Sequence, residues 1–252
     1  MIPNVMRSFI SLHPIWFSTG VMAGRLLLII GLALGTTALG FGGEWQGTFV
    51  NAAVTVAALG LTAWLGWWRE TGLTTIRPSA WWPLIGPAVV VASYLPYGVD
   101  PARRDLLPFL LGITLVGVNE ELFYRGVVQH ALTPLGRWRC CLLVGALFGA
   151  GHVSRHFLQG ASAVDTSLLV VETAVFGFAY AAVRYRTSAL LPLIVLHAAE
   201  DIMLILNSER VPIVHTVAVT CALAAWGGVV LARRERPRDR RSAGETEAGA
   251  VT

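Results

Sequence analysis

The chain has 252 residues, of which 55% are apolar and 13% charged, with a formal net charge of +4. The charged share is about half that of a soluble domain, too little polar side chain to cover a water-facing surface. A soluble enzyme, a disordered chain and a nucleic-acid-binding protein are disfavoured; a polytopic, all-α transmembrane bundle is favoured.

A spanning helix needs roughly 20 mostly apolar residues. Eight stretches qualify, at about 17–41, 48–68, 81–97, 106–128, 139–157, 165–184, 188–207 and 211–232. The third is short, which suits a tilted or partly interfacial element. The first follows Arg7 without a clear cleavage site and reads as a retained span. Short loops predict antiparallel neighbours. The expected organisation is a cytoplasmic N-terminus (1–16), a bundle (17–232) and a basic, disordered cytoplasmic tail (233–252).

All 19 basic residues are arginines. With eight spans and a cytoplasmic tail, Arg7, Arg69, Arg77, Arg137, Arg139, Arg184, Arg186 and the six arginines of 233–241 fall inside. Arg103, Arg104, Arg155 and Arg210 fall outside. That asymmetry obeys the positive-inside rule and predicts a multi-pass cell-membrane protein with both termini cytoplasmic. Trp16, Trp67, Trp68, Trp81, Trp82 and Trp138 lie near span ends, as an interfacial belt requires. Cys140, Cys141 and Cys221 have neither disulfide nor zinc spacing and read as core thiols.

The informative residues are charges inside spans. The fourth carries Glu120, Glu121 and Arg125, the fifth His152, the sixth Glu172, and the seventh His197, Glu200 and Asp201. Unpaired, such groups would cost on the order of 10–20 kcal/mol, so they are expected to face the bundle interior, pair, and meet water. Glu121 and Arg125 are i,i+4 and can pair along one helix face. Glu120 points about 100° away, free for chemistry. His152 shares a face with Phe148, and His197 with Asp201. Glu172 is expected to be a buried partner of an Arg or His, and Glu200 to pair, with Arg184 or Arg186 as candidates. His156 is expected at the membrane boundary, and His13, His130 and His215 at interfaces or in packing. Gly145–Ala146 and Gly149–Ala150–Gly151 suit close helix packing.

A carboxylate and an imidazole can together hold and deprotonate a water, and a second histidine can meet a developing oxyanion. The same set, Glu120, His152, His197 and Asp201, is also a plausible zinc shell. Spacing does not separate the two. HExxH and GxSxG motifs are absent from the sequence, which disfavours zincins and serine hydrolases.

Three motifs resemble those of the CPBP family of CAAX proteases and bacteriocin-processing (abortive-infection) enzymes. NEELFYRGVV (119–128) is similar to EExxxR, LFGAGH (147–152) to FxxxH, and 176–201 to a Gly-led helix, a turn with Ser188 and Leu190, and HxxxN. The resemblance covers about 106–207. It implies an intramembrane endopeptidase with a helical core, acting on membrane peptides or lipidated proteins, metal-dependent or not. It further implies that Glu120 and His152 activate water, that His197 and residue 201 stabilise the oxyanion, and that Glu121, Arg125 and Phe148 support the site. Position 201 is Asp where Asn is common, and an ionised Asp cannot donate to an oxyanion. The chamber is expected nearer the cytoplasmic leaflet, because Glu120 lies in the second half of an inward-running span. Two rivals are a proton-coupled transporter or channel and a non-catalytic immunity or scaffold member of the family.

Overall fold

Backbone polar groups in hydrocarbon must be satisfied within the chain, so apolar stretches of this length become helices. The computed structural model describes residues 4–75, 78–158 and 160–233, and in these there are helices and no strand. The side chains of Arg103 and of 154–158 lie outside the described set, as do Arg77 and the basic tail from Arg234 onward. The expectations for Arg103, His156, Arg155 and that tail therefore fall outside it.

Among the described residues nine helices follow in order: α1 Asn4–Leu12, α2 Pro14–Ala38, α3 Gly43–Leu65, α4 Ile85–Ser93, α5 Leu106–Leu135, α6 Arg137–Leu158, α7 Ala163–Thr187, α8 Leu191–Leu206 and α9 Ile213–Ala232. Five of them, α2, α3, α5, α7 and α9, are long and apolar enough to cross a membrane. The expected fifth and seventh spans form α6 and the 16-residue α8. The expected third span is not one long helix. It is the nine-residue α4 between two 3₁₀ turns, Trp82–Leu84 and Leu95–Tyr97. Nine residues rise about 14 Å, half a hydrocarbon core. Pro83 and Pro96 fall in those turns, where a missing N–H is tolerated. The fourth span runs further than expected, to Leu135, so Glu120 sits at its middle.

The helices alternate in direction, and hydrogen bonds tie their ends into two sets. At one end Arg184 Nη2 donates to the Glu70 carbonyl (2.9 Å), Ser79 N to that of Thr187 (2.8 Å) and Arg186 Nε to that of Val230 (3.0 Å). Trp67 meets Phe17 and His130 there, and Arg233 lies over Trp82 at 4.4 Å. At the other end Thr48 Oγ1 donates to the Pro108 carbonyl (2.6 Å), Asp100 N to that of Leu206 (2.7 Å), and Arg104 pairs with Glu44 (2.8 Å). His215 packs between Tyr94 and Tyr97 on the same side. Among the described residues, Arg7, Arg69, Arg137, Arg139, Arg184, Arg186 and Arg233, all assigned inside by sequence, lie at the first end, which also holds the start of α1 and the end of α9.

The most extensive pairing is α6 against α7, and small residues make it. A Cβ on Gly145 would lie 2.6 Å from the Ala174 carbonyl oxygen, and one on Gly149 would lie 2.6 Å from that of Val170. Ser162 caps α7, accepting from Asp165 N, and Ser188 ends it at φ 57°, a left-handed turn that reverses the chain into α8 within three residues. Cys140 and Cys141 are buried, as expected; Cys221 is exposed on α9 and is no core thiol.

The glycine contact makes a prediction. Gly149→Val should lower the unfolding temperature in detergent by the equivalent of about 1–3 kcal/mol, the cost of overpacking. Gly31→Val, where no neighbour lies within 4 Å, should leave it nearly unchanged. Equal losses in the two would deny that these glycines set the α6–α7 distance.

Candidate active site

Midway along α5 the helix changes pitch. Leu106–Glu120 is α-helical, Glu121–Val128 is a π-helix, and Gln129–Leu132 is α-helical again. The π-form widens the turn and recurs at functional sites. Its eight residues are all buried, and it begins where the two adjacent glutamates stand. The two carboxylates meet different cations.

Glu120 is held by an arginine that the sequence reading passed over. Arg25, at the middle of α2, donates from Nη2 to Glu120 Oε1 (2.7 Å) and to Asn119 Oδ1 (3.0 Å). Arg25 is 8% exposed. Asn119 Nδ2 donates in turn to Asn51 Oδ1 on α3 (3.1 Å), so three helices share one polar chain. Glu120 is therefore not the unpaired neighbour of an Arg125-bound Glu121. The signal was available: a lone Arg twelve residues into an apolar span needs a buried partner.

Glu121 meets Arg125 (Nη1–Oε1 2.9 Å), both side chains fully buried. The guanidinium lies over the Phe148 ring at 4.3 Å, with Phe176 and Tyr180 each 5.5 Å away. Desolvated rings attract a cation through their quadrupoles, so Phe148 supports Arg125 directly. The same Glu121 oxygen accepts from His197 Nδ1 at 2.8 Å. A carboxylate only accepts, so Nδ1 carries hydrogen and Nε2 is left outside this contact. That Nε2 stands 3.8 Å from Glu120 Oε2 and 3.8 Å from Asp201 Oδ2. Both gaps exceed a hydrogen bond.

His152 is fixed likewise. Its Nδ1 donates to the Phe148 carbonyl one turn earlier (2.8 Å), again leaving Nε2 for chemistry. Gly151 beside it abuts the Tyr124 hydroxyl, leaving no room for a Cβ. Glu120, His152, His197 and Asp201 all line one cavity of about 350 Å³, together with Arg25 and Glu172. The four expected polar anchors thus converge from α5, α6 and α8. Glu121 and Arg125 stand behind them. Glu200 does not reach Arg184 or Arg186, which are engaged at the arginine-rich end. It accepts from the Tyr180 hydroxyl at 3.3 Å. Glu172 lines the cavity.

The cavity lies toward the end of the bundle with few arginines. Asn51, His152, Glu172, Asp201, Leu204 and Thr220 all line it, and each lies nearer the end with few arginines. The cause is the length of α5: with fifteen residues beyond Glu120, that carboxylate is central, and the other site residues lie on the far side of it.

Zinc would need three or four N, O or S donors at about 2.0–2.3 Å from one point. Among the described residues no group of three or more His, Cys, Asp or Glu is so placed. A guanidinium already occupies the cation position against Glu120 Oε1.

The buried pair makes a prediction. Glu121→Gln leaves Arg125 without its counter-ion and should destabilise the bundle by about 3–5 kcal/mol, measured by unfolding in detergent. A loss within a few tenths of a kcal/mol would mean that the aromatic rings suffice for Arg125.

Residues 102–203 match the family model of the type II CAAX prenyl endopeptidase Rce1-like proteins. No curated protein and no solved structure matches the chain. The matched stretch runs from the turn before α5 into α8 and contains every residue of the three motifs. Arg25 lies outside it. The protein is a multi-pass helical membrane protein, and its residues 102–203 are similar to the type II CAAX prenyl endopeptidase Rce1-like family.

Proposed function

We propose that this chain is an intramembrane endopeptidase that cleaves a membrane-associated peptide or protein with a water activated between Glu120 and His152. The observation that carries the reading is the convergence of Glu120, His152 and His197, from three helices, on one cavity inside an apolar bundle. Charges are costly at that depth, and a site for hydrolysis gives them water and a task.

The steps follow from the free atoms. Arg25 occupies Glu120 Oε1, so Oε2 faces the water. The water passes a proton to Glu120 while its oxygen bonds to the scissile carbonyl carbon, and the carbonyl electron pair moves onto oxygen. His152 Nε2 accepts the other water hydrogen and aims the oxygen. His197, as imidazolium, donates from Nε2 to the oxyanion, with Glu121 behind Nδ1. Asp201 acts through His197 rather than as a donor. Collapse breaks the C–N bond, and the proton on Glu120 goes to the leaving amine.

The positive-inside rule makes the arginine-rich end cytoplasmic, with both termini there. The cavity then lies in the outer half, and the scissile bond enters from the outer leaflet. A cysteine from Gly42→Cys should react with a membrane-impermeant thiol reagent applied to intact cells lacking Cys221. A cysteine from Gly136→Cys should react only after permeabilisation. The reverse pattern would place the cavity in the cytoplasmic half.

The reaction is tested with quenched membrane peptides and purified protein. Glu120→Gln and His152→Ala should each lower cleavage by about 10²-fold or more, with normal insertion and without chelator sensitivity in the wild type. Full activity in either variant would sink the mechanism. Chelator-sensitive cleavage with about one zinc per chain would replace it with a metal site.

A further inference from the structure

Among the described residues, Arg25 is a site cation that lies outside the family-matched stretch and outside the three motifs. It stands on α2, packed against the cavity on one side. On its other side runs an apolar groove lined by Phe17, Gly20, Gly24, Leu28, Leu61 and Phe123. A guanidinium between these two spaces has hydrocarbon behind it and one carboxylate in front. Its Nη2 bonds that carboxylate and the Asn119 amide oxygen together. The Phe123 and Tyr124 rings lie within 6 Å of it and restrict its swing.

We infer that Arg25 is the positioning residue of Glu120. Resting on the proteolytic reading of Glu120, the inference assigns to α2 a role in the reaction as well as in the bundle. A carboxylate has two equivalent oxygens and rotates about its last bond. Held at Oε1 by a charge-assisted hydrogen bond, it cannot present Oε1 to the water, and Oε2 stays toward His197 Nε2. The same contact seats a fixed positive charge where a metal ion would otherwise balance Glu120. Asn119, bound to Asn51, fixes the distance between α2, α3 and α5 at this point.

The test is a thermal double-variant cycle in detergent on the full chain, followed by steady-state cleavage. Arg25→Met and Glu120→Gln should each lower the unfolding temperature, and the double variant should lose markedly less than their sum. Additive losses would overturn the pairing, whatever the enzyme does. In cleavage, Arg25→Met should lower kcat about tenfold or more with KM within about twofold, because it disturbs the reacting group and not the substrate's binding. Arg25→Lys should recover part of that loss by restoring the charge without the fork geometry. Thermal coupling with an unchanged kcat in Arg25→Met would overturn the positioning role and leave a structural ion pair. Thermal coupling in a wild type that cleaves none of the peptides would count against proteolysis and, with it, against any part for Arg25 in the reaction.

Discussion

Two arginines and three acidic or imidazole partners sit together at the centre of an apolar bundle, and the arrangement of the helices follows from their need for one another. Arg25 binds Glu120 and Asn119; Arg125 and His197 bind Glu121. Each ion alone would be expelled from hydrocarbon or would drag water in. Paired across α2, α5 and α8, they specify which helix faces must touch. A rotation of any of these helices by one residue, about 100°, would turn a charge into lipid.

The remaining geometry serves that cluster. The π-segment of α5 buries Glu121, Tyr124 and Arg125 together, along with the rest of its wider turn. Glycines let α6 approach α7 closely enough for Phe148 and Phe176 to stack, at 5.6 Å, beside Arg125. Both site histidines spend Nδ1 on a fixed acceptor, so each presents Nε2. Preorganisation of this kind lets a polar site act in a dry setting, because nothing has to reorient during the reaction.

The two ends of the bundle differ in character. One gathers arginines, tryptophans and the turn before α8, and its contacts are backbone carbonyls capped by guanidinium groups. The half toward the opposite end is hollowed by the cavity, where, among the described residues, carboxylates and histidines outnumber Arg25. A chamber of that sign attracts cationic or hydrogen-bond-donating groups and disfavours anionic ones. Charge thus distinguishes the two ends of the bundle.

Composition and periodicity by themselves determined that the chain is an all-helical membrane protein, because apolar excess and segment length are local properties. They also singled out Glu120, Glu121, Arg125, His152, His197 and Asp201, because a charge in an apolar run is conspicuous wherever it folds. The i,i+4 pair of Glu121 and Arg125 was legible for the same reason: both members lie on one helix. Only the tertiary structure decided what binds Glu120. Arg25 is 95 positions away, and spacing carries no information across helices. The break of the third span into α4, the partner of Glu200, the exposure of Cys221 and the half of the bundle that holds the cavity were decided there too. Each depends on which helices are neighbours and how far each extends past the site, and those are settled by packing between segments remote in sequence.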